Sequence, residues 1–135
     1  MEKIQEKKQV VQNKVNLMIN DGITLDIPVE THISKLEEKT LLFLNQKYKK
    51  KEKETIDYMK ALNNKNRLRI IQLLKTGAKC SCELEYALNL SQPTISHHIN
   101  ILEHSNIVQI MSKGKWRTVQ LQESPIIFWI LDQLK

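Results

Sequence analysis

The sequence is poor in residues that break regular structure, with three glycines and three prolines among 135 residues. That scarcity excludes collagen-like, loop-rich and low-complexity designs and favours long helices. Cysteine is scarce as well. Two residues, Cys80 and Cys82, do not make the disulfide framework of a small secreted fold, and their tight spacing suggests a site rather than a staple. No apolar run approaches the roughly 20 residues that a bilayer crossing requires. The first residues, Met1-Glu2-Lys3-Ile4-Gln5-Glu6-Lys7-Lys8, are highly charged and hold no apolar stretch of signal-peptide length. A soluble, cytoplasmic protein is expected. Catalytic parts are missing too: there is no Gly-rich phosphate loop, no His-Glu-x-x-His pair and no nucleophile elbow. Catalysis is therefore not expected.

What is present is apolar content of 41%, enough for a packed core, and a net charge of +6. The charge is unevenly placed. Residues 60–122 carry nine Lys/Arg (Lys60, Lys65, Arg67, Arg69, Lys75, Lys79, Lys113, Lys115, Arg117) against three acids, Glu83, Glu85 and Glu103. Elsewhere the two signs cancel. A basic excess confined to one segment is the footprint of a polyanionic partner, although charge alone fits a merely solvated surface equally well.

Periodicity divides the chain into an N-terminal helical arm (1–54) and a second unit (55–135). In the arm, Ile4, Val11, Val15 and Met18 recur at helical spacing, and Asn20-Asp21-Gly22 supplies a stop. Ile23 to Ile27 alternates as a short extended piece would. Pro28 suits the first turn of a second helix, striped by Val29, Ile33, Leu36, Thr40, Leu44 and Tyr48. The charged run 47–54 fits a solvated helix face or a hinge before the next unit, and the face is the expected reading.

Beyond residue 55 the elements shorten. Helices are expected over 55–62 and 65–75, with Gly77 ending the latter. Ser81 is expected to cap a helix over 82–88, and Ser91 to cap the next, with Pro93 in its first turn. Asn89, in the turn between them, is a residue type that tolerates positive φ. The pattern then switches to period two: Val108, Ile110, Val119 and Leu121 flank Ser112-Lys113-Gly114-Lys115 as in a β-hairpin. Pro125 opens a last helix. The fold class expected is mainly α with a small β-hairpin wing: a winged helix-turn-helix with an N-terminal helical extension.

That layout carries a function. A helix fits the major groove of duplex DNA, and its exposed residues should be small or polar hydrogen-bonding types. In the helix after Ser91, Ile95, Ile99 and Leu102 share an inner face, while Gln92, Thr94, Ser96, His97 and Asn100 lie opposite. No acid precedes Glu103 there. Lys113, Lys115 and Arg117 around the hairpin tip are placed to grip phosphates or an adjacent minor groove. The candidate DNA-binding residues are thus Ser91, Gln92, Thr94, Ser96, His97, Asn100, Lys113, Lys115 and Arg117. A surface helix beside a surface hairpin is the bland alternative; it is strong for each residue singly and weak for the set.

The stretch Leu90-Ser91-Gln92-Pro93-Thr94-Ile95-Ser96-His97-His98-Ile99 closely resembles the recognition helix of the ArsR/SmtB family of metal-responsive repressors. Cys80-Ser81-Cys82-Glu83-Leu84 resembles that family's Cys-x-Cys-Asp-Leu element. Asn66-Arg67-Leu68-Arg69-Ile70 and the hairpin after Asn106-Ile107-Val108 fit as well, so the resemblance spans about residues 56–134. It implies a homodimer on a palindromic operator of double-stranded DNA, released when an inducer binds. Dimerisation has separate support: Ile126 to Leu131 holds no polar residue, and a helix apolar nearly all round must be covered. The C-terminal helix and the N-terminal helices are the expected dimer contacts.

In the family, the cysteine pair supplies thiolates to arsenite or a heavy metal. Here arsenite or a soft metal ion at Cys80 and Cys82 meets an incomplete ligand set, since no third cysteine exists and His32, His97, His98 and His104 are the only imidazoles. The last helix offers Glu123 and Asp132 but no His. A purely structural pair with no cofactor and a dithiol redox switch are the other two readings. The expected function is a sequence-specific transcriptional regulator, a repressor released by a thiol-reactive metal, metalloid or redox signal. The alternative is an effector-independent winged-helix module for protein assembly or chromosome binding.

Overall fold

Capping residues set most of the helix boundaries in the computed structural model, which describes residues 2–135. The chain divides into two units, residues 1–50 and 51–135. The first holds helix α1 (Glu2–Asn20) and helix α2 (Val29–Leu44), packed as a hairpin and joined by an ion pair of 2.9 Å between Lys8 and Glu37. Gly22, at φ +93°, turns the chain out of α1. Ile33 is the buried side chain of this pair of helices, while Val10, Leu17, Leu41 and Phe43 remain exposed.

Two expectations for this unit are corrected. Residues 23–27 form no strand. The stripe from Val29 to Tyr48 does not belong to one helix: α2 stops at Leu44, and Asn45 adopts an extended backbone. The Asn45 Oδ1 accepts from the backbone N–H groups of Lys47 and Tyr48, at 2.9 and 3.2 Å, and so caps helix α3 (Gln46–Leu62). A side chain that satisfies two otherwise orphaned donors outweighs a continuous apolar stripe. The charged run 47–54 is helical and exposed, as its composition suggested.

The second unit comprises the rest of α3, helix α4 (Lys65–Leu74), strand β1 (Lys79–Cys80), helix α5 (Ser81–Leu88), helix α6 (Gln92–His104), strands β2 (Val108–Lys113) and β3 (Trp116–Leu121), and helix α7 (Pro125–Gln133). Asn64 Oδ1 caps α4 by accepting from Asn66 and Arg67 N–H. Between α5 and α6, Asn89 takes the left-handed conformation (φ +51°), which a short polar side chain tolerates. Ser91 caps α6 and Ser124 caps α7.

The three strands form one antiparallel sheet in the order β1-β3-β2. Strand β1, only two residues long, lay below the reach of periodicity. Its pairing of Cys80 with Thr118 displaces the expected cap of α5: Cys80, not Ser81, occupies the N-cap, and the Glu83 carboxylate accepts from the Cys80 N–H at 3.4 Å. The core gathers Ile70, Ile71 and Leu74 of α4, Leu84 of α5, Ile95, Ile99 and Leu102 of α6, Ile107, Val108 and Val119 around the sheet, and Ile127, Ile130 and Leu131 of α7. Each such side chain contributes about 1.5–3 kcal/mol on leaving water, and together they fix α6 against the sheet.

Candidate nucleic-acid interface

Helix α6 is amphipathic for the reason the sequence suggested. Ile95, Ile99 and Leu102 are buried, and the other side carries the polar residues. Ser91 and Thr94 are engaged locally: their hydroxyls lie 2.8 Å apart, and Ser91 Oγ accepts the Thr94 N–H at 3.4 Å. Gln92 Nε2 donates to Ser96 Oγ at 3.0 Å, so these two side chains form one hydrogen-bonding pair on the open face. His97 and Asn100 are exposed beside them.

The sheet brings the wing to this helix. Pairing of β2 with β3 places Lys113 opposite Trp116 and Ser112 opposite Arg117. Arg117 shares a cleft of about 200 Å³ with Ser81, Gln92, Ser96 and Asn100, floored by Ile99, Ile110 and Val119. Gly114, at φ +61°, makes the tip, where Lys113 and Lys115 are exposed. Candidate residues from α6 and from β3 therefore meet on one surface. Lys113 and Lys115 lie at the hairpin tip, outside the cleft.

Two features escaped the sequence reading. Arg67 of α4 is half-buried and donates to the backbone carbonyls of Ala61 and Lys60 at the end of α3. Its Nη1 also lies 3.3 Å from Nδ1 of His98, on the inner side of α6. A guanidinium has no acceptor, so Nδ1 must accept and the imidazole is neutral, with its proton on Nε2. Burial chiefly, then the Arg67 and His97 charges, hold the His98 pKa below the ordinary histidine value. His98 is thus a buried partner of Arg67, and only His97 faces outward. The second feature is Trp116, 66% exposed at the start of β3, with Lys115 Nζ 5.3 Å from its ring centre.

Cys80 and Cys82 are joined in a disulfide at the β1–α5 junction, with their Cα atoms 5.3 Å apart. No group of three or more His, Cys, Asp or Glu side chains is arranged around a possible metal among the described residues. The donor set here does not fit a three-sulfur arsenite site within one chain.

A helix-turn-helix with a basic hairpin beside its second helix defines the class: this is a winged helix-turn-helix DNA-binding protein. Residues 64–109 match the family model described as bacterial regulatory protein, arsR family. An uncharacterized HTH-type transcriptional regulator of Methanocaldococcus jannaschii is 34% identical over 92 residues, covering 66% of this chain and 99% of that one. The transcriptional repressor SdpR of Bacillus subtilis is 35% identical over 78 residues, 54% of this chain and 84% of the repressor. Among solved structures, a homodimeric winged helix-turn-helix DNA-binding domain from Mycobacterium bovis superposes with a TM-score of 0.61 at 20% identity. It covers 67% of this chain and 84% of that domain, a likeness of fold. The chain belongs to the ArsR family and is a DNA-binding transcriptional repressor. No described helix is long and apolar enough to cross a membrane.

Proposed function

We propose that the protein acts in the cytoplasm, without catalysis, as a homodimer that occupies a palindromic operator and leaves it when the Cys80–Cys82 pair is oxidised. Residues 55–135 read the DNA: Gln92, Ser96, His97 and Asn100 face base edges, Ser91 and Thr94 hold the start of the reading helix near the backbone, and Lys113, Lys115 and Arg117 contact phosphates. The dimer reading is supported by α7, whose Ile127, Ile130 and Leu131 are buried while Phe128 and Trp129 stay 62% and 61% exposed. The arm, residues 1–54, supplies dimer contacts of its own, because its helices leave most of their apolar residues in water.

The observation that carries the effector reading is the place of the cysteines. Cys80 pairs with Thr118, the neighbour of Arg117, and Ser81 lines the cleft shared by Arg117 and the reading helix. Chemistry at the sulfurs is therefore one residue from the DNA-facing groups. The step is a dithiol oxidation: a peroxide takes two electrons and two protons from the thiols, its O–O bond breaks to give water and an alcohol or a second water, and the S–S bond forms. The test is binding of the purified protein to its own promoter DNA, beside Cys80→Ser/Cys82→Ser, with peroxide, arsenite, cadmium and zinc as separate arms. Release by peroxide, reversed by a dithiol reductant and absent in the double variant, is the expected result. Release by a metal or metalloid alone would assign the pair to a soft ion. Binding unaffected by every addition would make the cysteines structural.

A further inference from the structure

The wing carries a side chain that a phosphate-gripping role leaves unused. Trp116 is 66% exposed at the hairpin, and a large aromatic held in water at a loop edge calls for a partner. Alternation along β3 places Arg117, Val119 and Leu121 on the face toward α6, and Trp116 and Thr118 on the opposite face. Cross-strand pairing sets Lys113 opposite Trp116 and Met111 opposite Thr118. Lys115 lies over the indole, within cation–π range. The tip is thus an apolar wedge beside Lys113 and Lys115, with a third cation, Arg117, on the other face of the strand, and no acid lies between Glu103 and Glu123.

That combination selects one occupant. A second copy of the same tip would bring three like charges against three, which disfavours wing-to-wing packing. The minor groove of duplex DNA offers the complement: apolar sugar walls lined on both edges by phosphates, and aromatic or aliphatic wedges enter it at base steps. A wing beside a helix lodged in the major groove reaches the neighbouring minor groove. Resting on the repressor reading, we propose that Trp116 enters the minor groove flanking each half-site, and that Lys113 and Lys115 hold it there on the phosphates.

An uncharged wedge and a phosphate contact leave different signatures. Trp116→Ala should lower affinity for the promoter duplex about tenfold, roughly the worth of one aromatic stacking contact, with the slope of log K against log salt unchanged. Trp116→Phe should keep most of the affinity, and it decides the matter if the alanine variant does not fold. Arg117→Ala should instead lower the slope by about 0.9, one phosphate contact. In a Trp129→Phe background that still binds the duplex, the remaining indole should shift its emission to the blue on adding duplex. A small minor-groove ligand pre-bound to the duplex should abolish both that shift and the difference between wild type and Trp116→Ala. Equal affinity of wild type, Trp116→Ala and Trp116→Phe, with no emission change, would overturn the proposal and leave the repressor reading intact. So would loss of the dimer in Trp116→Ala, measured by sedimentation, since the indole would then belong to a protein interface. Failure of the wild type itself to bind promoter DNA would overturn the repressor reading along with it.

Discussion

Arg67→Met tests whether the reading helix is held by a charged staple as well as by apolar packing. The substitution keeps the apolar stem and deletes the guanidinium. It strips the hydrogen bonds that Arg67 donates to the carbonyls of Ala61 and Lys60, and its contact with His98 Nδ1. Ala61 is 1% exposed and His98 7%, so neither partner is well placed to turn to water. Hydrogen bonds from a charged donor are worth about 1.5–3 kcal/mol each, less where water can replace them. A total loss of about 2–4 kcal/mol is expected. With a urea dependence of roughly 2 kcal/mol per M, the unfolding midpoint should fall by about 1–2 M at fixed protein concentration.

The same variant should lose preference for promoter over random duplex by about 1–3 kcal/mol, the worth of a base pair misread, because α6 loses one of its ties to α3 and α4. Arg67→Lys keeps the charge but not the fork that reaches two carbonyls and an imidazole together, so it should not restore the preference. An unchanged midpoint and an unchanged promoter preference in Arg67→Met would refute the reasoning, leaving apolar packing as the sole anchor of the helix.

Three further outcomes concern the reading helix and the wing. Ser96→Ala should weaken promoter binding while leaving random-duplex binding and the circular-dichroism spectrum unchanged, whereas Arg117→Ala should weaken both kinds of binding alike; a changed base preference in Arg117→Ala would show that it reads sequence. His98, with its pKa depressed in the fold, takes up a proton more readily unfolded, so stability should hold above about pH 6.5 and fall as the pH drops below it. Thermal melts of wild type against His98→Asn across pH 5–8 check this, and a wild-type curve no steeper than the variant's would contradict it.

The sequence by itself determined the order of the helices and of the hairpin in the second unit, and the two faces of α6. Those follow from local rules: Ser91 and Pro93 at a helix start, Ile95, Ile99 and Leu102 at helical spacing, and alternation around Gly114. Asn89 was legible for the same reason, since few residue types accept its φ of +51°. The basic excess of residues 60–122 was legible as well, although charge alone fitted a polyanionic partner and a solvated surface equally.

Only the tertiary structure decided which of these residues work together. The break at Asn45 depended on whether a side chain would find two backbone donors, which apolar spacing does not register. Strand β1 exists because β3 is there to pair with it, and that pairing moves the cap of α5 to Cys80 and sets the cysteines beside the wing. Helical spacing set His97 on the outer face of α6 but did not say what His98 would meet. Helix geometry turns neighbouring residues about 100° apart, so His97 meets water and His98 meets Arg67, which lies 31 positions earlier in the chain. Such a pairing is a property of packed helices in space, and no local pattern encodes it.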